Sequence, residues 1–229
     1  MIKPYIITMI QNDMSMKAAR RCIKSASKFG YYPEIFNAIT PDSNPKDIFM
    51  KEQLSLSSFT VNTSYSKMEP AMCCFLSHRE LWKKCFLDNK TIIVLEHDAV
   101  FVDKIQNNTM LHKFVNLGKP SYGGFMRPKV EAHGIYELFS KTGGYLPGTH
   151  AYMVTPDAAK ELLQKAKTNP APADLFLNKS SFPWMMESFP WPIEADDRFT
   201  TIQKPNGCVA KHAFSKEYII EDVERKWKR

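Results

Sequence analysis

Short apolar runs alternate with amphipathic stretches near the start of the chain, and this alternation predicts strands separated by a helix. Residues 4–10 form an apolar run that is typical of a first strand. A helix follows over residues 15–29, with Ser15 as its cap and Gly30 as its stop, and residues 34–39 form a second strand. Short elements in this order predict an α/β fold with a mostly parallel central sheet flanked by helices.

A buried strand with two carboxylates at its end is the strongest signal in the chain. Residues 91–95 are apolar or β-branched, and Glu96 and Asp98 follow before the chain becomes apolar again. Residues i and i+2 of an extended segment point to the same side, so both carboxylates reach one ligand. Such carboxylates repel one another unless a cation neutralises them, and their oxygens suit Mg²⁺ or Mn²⁺ holding a diphosphate. The alternative is that Glu96 and Asp98 only cap or solvate the strand.

The remaining pattern predicts further elements around this strand. The longest helix, residues 70–89, carries Cys74, His78 and Trp82 on its inner face and leads into the central strand. Residues 54–67 are rich in Ser and Thr and predict a loop over the site, whereas residues 182–192 are too irregular for an element. Helices are also predicted at 45–51, 108–116, 158–167 and 173–180, and strands at 122–126, 135–139, 149–154 and 198–203.

Composition and charge narrow the class of protein. Hydrophobic residues make up 44% and charged residues 24%, which is typical of globular proteins. No apolar run approaches the ~20 residues that a membrane-spanning helix needs. The 229 residues show no repeat or long linker and predict a single domain. The net charge of +7 favours a polyanionic partner such as a phosphorylated saccharide, a nucleic acid or an anionic membrane surface.

The cysteines and the N-terminus predict a cytoplasmic protein. The five cysteines are an odd number and form no CxxC pair. Such cysteines are typical of reduced, mostly buried thiols, not of a disulfide framework or a zinc site. The chain passes directly from Met1 into the first strand-like run and lacks the apolar region of a signal peptide.

Four segments, in this order, resemble glycosyltransferase family 25, the group of lipooligosaccharide and procollagen galactosyltransferases. The family pattern has a Leu-Ser-His helix, an apolar strand that ends in acidic residues, a Gly-Thr-x-x-Tyr strand that enters a Pro-started helix, and a Pro-x-Asp. The similarity covers roughly residues 4–197. The matching segments are residues 69–82 (EPAMCCFLSHRELW), 92–98 (IIVLEHD), 148–159 (GTHAYMVTPDAA) and 172–174 (PAD).

The resemblance implies a GT-A-like fold, a nucleotide-sugar donor and a divalent metal. By position, Asp98 binds Mn²⁺ or Mg²⁺, and Glu96 binds the metal or the donor's ribose. Asp174 lies at the donor or acceptor sugar and is the first candidate for the base that takes the acceptor's proton, and Asp197 is the second. The middle residue of the acidic motif is usually acidic in the family but is His97 here, which leaves less negative charge for a metal.

Further residues are candidates for binding donor or acceptor, each with a structural role as the alternative. Gln11 and Asn12 follow the first strand and suit the nucleotide's base or ribose, although turns favour such residues anyway. Arg127 suits a diphosphate or an acidic acceptor. The other candidates are Ser77, His78 and Thr149 for the donor, His150, Trp184 and Trp191 for the acceptor, and His212 as an additional metal ligand.

The predicted function is a metal-dependent hexosyl- or pentosyltransferase. Residues 1–105 are expected to bind the donor and residues 106–214 the acceptor, with residues 215–229 as a charged tail. The acceptor stays open between a lipooligosaccharide-like surface saccharide and a hydroxymethylated base in DNA, which a basic chain with aromatic residues also suits. The alternatives from other classes are a non-catalytic protein that binds nucleotide sugar or nucleic acid, and a metal nuclease built on Glu96 and Asp98.

Overall fold

A central sheet with helices on both faces forms the body of the protein. The structure is a computed structural model that describes residues 2–61, 66–120, 127–128, 132–139, 145–146, 148–195 and 202. Its strands are β1 Lys3–Thr8, β2 Glu34–Asn37, β3 Ile92–Glu96, β4 Ala99–Phe101, β5 Phe114–Asn116, β6 Gly134–Glu137, β7 Ala151–Val154, β8 Met186–Phe189 and β9 Ile193–Ala195. Its helices are α1 Asp13–Ser27, α2 Pro45–Lys51, α3 Ser57–Val61, α4 Met68–Leu87, α5 Pro156–Thr168 and α6 Ala173–Phe176, with short 3₁₀ helices at Pro41–Ser43 and Asn107–Leu111.

The strand order confirms the α/β class and shows that the sheet is mixed. Among the described residues the large sheet has the order β2-β1-β3-β7-β5-β8-β6. The β1–β2, β1–β3 and β5–β8 pairs are parallel, and the β3–β7, β5–β7 and β6–β8 pairs are antiparallel. Strands β4 and β9 form a separate antiparallel pair. The sequence predicts the parallel part, because short βαβ connections determine it, but the antiparallel insertion of β7 depends on tertiary contacts.

The two faces of the sheet are covered by different helices. Helices α4 and α5 pack on one face, where Trp82, Tyr152 and Leu162 belong to one apolar cluster. Helix α1 covers the other face with Ala19 and Cys22, which pack with alternate residues of β3 such as Ile93. Successive side chains of β3 point alternately into the two apolar clusters. Both faces of the strand are therefore buried, and it is apolar until Glu96.

An ion pair fixes the side of α4 that lies away from the sheet. Arg79 is 4% exposed and binds Glu52 at 2.6 Å. The guanidinium lowers the pKa of Glu52 to about 2, which keeps that carboxylate ionised. Lys83 bonds the same carboxylate at 2.6 Å. The residues after α2 and the middle of α4 are thereby held together, which steadies the helix that carries His78.

Several local predictions differ from the observed elements. Residues 107–111 form a 3₁₀ helix and residues 114–116 form β5, where one helix was predicted. The loop predicted over residues 54–67 contains α3, and the segment judged irregular contains β8. Strand β8 forms because β5 and β6 both pair with it, and this sheet context overrides its aromatic, proline-rich composition. The strand predicted at 122–126 and most of the one at 198–203 lie outside the described residues.

The start of α1 also differs, and the difference involves a candidate residue. Helix α1 begins at Asp13, and its cap is Asn12, whose side-chain oxygen accepts a hydrogen bond from the backbone N–H of Ser15 at 2.9 Å. Ser15 therefore lies inside the first turn, and its hydroxyl accepts from the backbone N–H of Met9 at 2.9 Å. Asn is a favoured helix cap, since its oxygen satisfies an otherwise unpaired N–H.

No helix among the described residues is long and apolar enough to cross a bilayer. Cys22, Cys73, Cys74 and Cys85 are free thiols, three of them buried, in agreement with the sequence prediction, and Cys208 lies outside the described residues.

Candidate functional site

The candidate site lies at one edge of the sheet, where three strands bring their ends together. Parallel strands β1 and β3 both end there, with Ile7 opposite Glu96. Because β7 runs antiparallel to β3, its first residues lie at the same edge, and the N–H of Glu96 donates to the carbonyl of His150 at 2.9 Å. Ligands of open α/β sheets bind at such carboxyl ends of parallel strands. The acidic motif and the Gly-Thr motif are thus neighbours in space.

The acidic motif forms the end of β3 and a tight turn into β4. Glu96 is the last residue of β3, and His97 and Asp98 form the turn. Nδ1 of His97 lies 3.2 Å from the hydroxyl of Ser15 in the first turn of α1. Burial lowers the pKa of His97, so its imidazole is neutral at pH 7. His97 therefore fastens the turn to α1, whereas the family usually has an acidic residue here.

A histidine, a thiol and a carboxylate meet beneath this turn. One ligand atom from each of Cys74, His78 and Glu96 lies within 4.8 Å of the others. Nε2 of the fully buried His78 lies 3.2 Å from Oε1 of Glu96, and its Nδ1 lies 2.9 Å from the hydroxyl of Tyr152. Burial raises the pKa of Glu96, whereas the hydrogen bond to His78 lowers it, and the pKa lies below its ordinary value. Glu96 is therefore ionised at neutral pH.

The charges of three carboxylates act on the thiol of Cys74. Burial raises the pKa of Cys74 well above its ordinary value, and the charges of Glu96, Asp174 and Asp98 raise it further. Asp98 and Asp174 are thus close enough to act on the same buried group as Glu96. The thiol stays protonated, and the negative charge of this site is carried by carboxylate oxygens.

Asp174 carries a carboxyl group whose pKa is raised toward neutrality. Burial, followed by the charge of Glu96, raises its pKa from 3.8 to about 6, although backbone N–H groups at the start of α6 and the Tyr145 side chain bond its charged form. Asp174 is the second residue of α6, and Pro172 caps that helix. A carboxylate whose pKa approaches neutrality is suited to accept a proton from a substrate.

Two glycines allow the Gly-Thr turn to pack directly against the chain after β5. A Cβ atom on Gly148 would lie 2.5 Å from the carbonyl oxygen of Gly118 and 3.0 Å from the side-chain amide of Asn116. A Cβ atom on Gly118 would clash in turn with the carbonyl of Gly148 and with the imidazole of His150. Asn116 bonds the backbone N–H and carbonyl of Gly118 and fixes that loop. The close approach places the partly exposed Thr149 and the buried His150 at the site edge.

Two candidates, Arg127 and Trp191, contact the buried carboxylate of Glu187, and a third, Trp184, contacts Glu161. Arg127 donates to Glu187 at 2.7 Å and also bonds the carbonyl of Glu137. The indole N–H of Trp191 donates to the other oxygen of Glu187 at 3.2 Å. Trp184 donates to Glu161 at 2.7 Å and packs on Phe182. The polar atoms of these side chains are engaged in contacts within the protein, and their predicted roles toward donor or acceptor stay predictions.

The remaining candidates have simpler surroundings. The hydroxyl of Ser77 donates to the carbonyl of Cys73 in its own helix, which agrees with the structural alternative, and it also accepts from the N–H of Ile39. Gln11 is exposed in the turn after β1, next to the cap Asn12. Asp197 and His212 lie outside the described residues. The last described residue before Asp197 is Ala195, which pairs with Ala99, the neighbour of Asp98.

The model of glycosyltransferase family 25 (LPS biosynthesis protein) matches residues 1–177. The chain belongs to glycosyltransferase family 25. No curated protein matches the chain at a significant level. The family match covers α1 to α6, so every carboxylate of the described site lies within it.

The side-chain atoms at the site of this glycosyltransferase suit a hard divalent cation better than a soft one. The Cys74–His78–Glu96 group by itself has the nitrogen and sulfur atoms that suit zinc. However, burial raises the pKa of the Cys74 thiol well above its ordinary value, and Nε2 of His78 faces a carboxylate oxygen. Glu96 and Asp98 offer carboxylate oxygens, which are the atoms that Mg²⁺ and Mn²⁺ take beside the phosphates of a substrate.

Sequence reasoning missed two features of the glycosyltransferase site. Tyr152, which bonds His78, reads in the sequence as one apolar residue of a strand, although the Gly-Thr-x-x-Tyr pattern contains it. Gly118 carries no motif, and only its contact with Gly148 shows its importance. Cys74, His78 and Trp82 do follow one another at helical spacing, so this stripe was visible in the sequence.

We expect Gly148→Ala both to destabilise the folded glycosyltransferase and to weaken donor binding at its site. The added methyl group meets backbone at Gly118, which moves only if the turn moves, and overpacking of this kind costs about 3 kcal/mol. Urea unfolding and donor binding measure the two effects. Gly134→Ala is the matched control, because a Cβ atom there meets only the side chain of Tyr136, at 3.1 Å. Equal stability of the two variants would contradict the predicted clash.

Proposed function

We propose that this glycosyltransferase transfers a hexosyl or pentosyl group from a nucleotide-sugar donor to a hydroxyl of a saccharide acceptor, with Mn²⁺ or Mg²⁺ as cofactor. The proposal rests on Glu96 at the end of β3 and Asp98 in the turn after it, at the sheet edge where β1 also ends, with the charges of Asp98 and Asp174 acting on the same thiol as that of Glu96. Family membership supports the transferase reaction. A non-catalytic binding protein has no need for a buried carboxylate whose pKa is raised to about 6.

Each carboxylate has a separate part in the proposed reaction. Asp98 and Glu96 hold the cation, which, when bound, neutralises charge on the departing diphosphate. Asp174 takes the proton of the acceptor hydroxyl as the acceptor oxygen forms its bond to the anomeric carbon. The bond between that carbon and the diphosphate oxygen breaks, and the diphosphate leaves with the electron pair. Asp197 is the second candidate for the base.

The distribution of charge supports a phosphorylated saccharide as acceptor. The exposed face of α1 carries basic residues at helical spacing, and α1 begins beside the His97 turn. Phosphates on a saccharide core offer such a surface favourable electrostatic contacts. We propose that residues 1–105 bind the donor and that part of residues 106–214 binds the acceptor, with Thr149 and His150 at the boundary. The basic residues of this face are Lys17, Arg20, Lys24 and Lys28.

Incubation with radiolabelled donors tests the proposal. UDP-, GDP- and CMP-sugars are each supplied with Mn²⁺ and with either a lipooligosaccharide core or hydroxymethylated DNA. We expect label on the saccharide with one donor class, and loss of labelling with EDTA. Label found only on DNA would overturn the saccharide acceptor but keep the transferase. Specific donor binding with no transfer to either acceptor and no donor hydrolysis would favour a binding protein.

A further inference from the structure

Four buried side chains form a continuous series of hydrogen bonds from the interior to the site. The indole nitrogen of Trp82 lies 2.8 Å from the hydroxyl of Tyr152, which lies 2.9 Å from Nδ1 of His78. Nε2 of His78 then lies 3.2 Å from Oε1 of Glu96. Trp82, Tyr152 and His78 are all 0% exposed, and Glu96 alone reaches solvent.

The proton positions in this series follow from the chemistry of its groups. An indole N–H only donates, so Tyr152 accepts from Trp82. The hydroxyl proton of Tyr152 must then be donated, and Nδ1 of His78 is the atom that receives it. A neutral imidazole with a bare Nδ1 carries its proton on Nε2, which therefore donates to the carboxylate of Glu96.

The other two protonation states of His78 fit less well. With the proton on Nδ1, a bare Nε2 would face a carboxylate oxygen at 3.2 Å, and two acceptors would repel each other. A doubly protonated ring would donate to Tyr152, whose own proton would then have no acceptor in the series. Burial raises the pKa of Tyr152 well above its ordinary value, so its hydroxyl proton stays in place.

We propose that Trp82, Tyr152 and His78 form a relay that fixes the carboxylate of Glu96, and that His78 is a positioning residue and not a ligand of the cation or donor. Helix α4 supplies Trp82 and His78 one turn apart, and β7 supplies Tyr152 beside β3. Stacking against Phe114, at 4.9 Å between ring centroids, and against His78, at 5.8 Å, holds the Tyr152 ring. Glu96 is thereby held in one orientation before any ligand arrives.

The part of this inference that concerns Glu96 rests on the proposed function, whereas the proton positions do not. Groups that orient a metal-binding side chain from behind change metal affinity by about 10–100-fold when removed. A buried hydrogen bond with only a structural role would change stability and leave metal affinity alone. The two roles therefore separate in a variant that breaks the relay and keeps its packing.

The ¹⁵N spectrum of the imidazoles tests the proton positions in the full chain without metal. His78 is assigned from its absence in His78→Gln. We expect a proton on Nε2 and a hydrogen-bonded, unprotonated Nδ1 at pH 7. In Tyr152→Phe the Nδ1 resonance should move toward that of an unbonded ring nitrogen. A proton on Nδ1 of the wild-type ring, alone or together with one on Nε2, would overturn the relay.

Mn²⁺ binding, measured by water-proton relaxation, tests the positioning of Glu96. We expect Tyr152→Phe to weaken Mn²⁺ binding by about tenfold. The control is Phe114→Leu, which disturbs the packing of the same ring but leaves every hydrogen bond of the relay. Equal Mn²⁺ affinity in the two variants would overturn the positioning role. If the wild-type protein binds no Mn²⁺, the metal part of the proposed function fails, and the relay is then decided by the imidazole spectrum.

Discussion

Replacing Asp98 by Asn is expected to abolish sugar transfer while the protein keeps its fold. Asp98 lies in the turn between β3 and β4, and its charge acts on the same buried thiol as the charges of Glu96 and Asp174. Asn keeps the shape of the side chain but removes the charge that, in the proposed reaction, holds the cation. Stabilisation of a leaving diphosphate by a cation is worth several kcal/mol, so we expect a loss of roughly a thousandfold in kcat/KM.

The control for this variant is Asp103→Asn. Asp103 is an exposed carboxylate beyond the opposite end of β4 from Asp98, and its side chain accepts a hydrogen bond from the N–H of Lys104. Titration calorimetry of Mn²⁺ in the presence of donor should show lost binding in Asp98→Asn and unchanged binding in the control. Unchanged Mn²⁺ affinity in Asp98→Asn would remove Asp98 from the metal site. Unchanged urea unfolding confirms that the loss does not come from the fold.

The part of the site that lies on β3 was predictable because it is local in sequence. The apolar run before Glu96 predicts a buried strand, and the polar residues after β1 predict a turn at the same edge. Because β1 and β3 are parallel, the residues that follow each strand lie at the same edge of the sheet. The approach of α1 to this edge also follows from a short βα connection. The residue that caps α1 was predicted as Ser15, whereas the structure has Asn12.

The rest depends on contacts between distant residues that no local pattern encodes. The antiparallel position of β7 between β3 and β5 puts Tyr152 against His78, which lies 74 residues earlier. The register of β8 between β5 and β6 likewise follows from pairing on both edges. Sequence periodicity shows which face of an element is apolar, but not which element packs against it.

Replacing Asp174 by Asn should lower kcat by about 10²–10⁴-fold, the usual contribution of a general base. Because the base must be deprotonated, the activity of the wild-type enzyme should fall as the pH drops through its pKa of about 6, or lower when the cation is bound. Measurement of kcat from pH 4.5 to 8 decides this. The control is Asp157→Asn, since Asp157 is also the second residue of a helix but is exposed. A kcat in Asp174→Asn as high as in this control would give the role of base to another residue.

Asp174→Asn should also stabilise the folded state of the metal-free protein at neutral pH. The pKa of Asp174 lies near 6 in the folded protein and near 3.8 otherwise, so the folded state binds its proton more readily and ionisation above pH 6 destabilises it. Asn carries no charge and still accepts from the backbone N–H groups at the start of α6. One pKa unit corresponds to ~1.4 kcal/mol, and with allowance for solvent we expect a gain of roughly 1–2 kcal/mol at pH 7.5 that disappears below about pH 4. Urea unfolding with EDTA measures this gain. Asp157→Asn should show no gain, because an exposed carboxylate at a helix start is favourable. A variant that loses activity and gains stability together is expected where charge is held in place for a substrate.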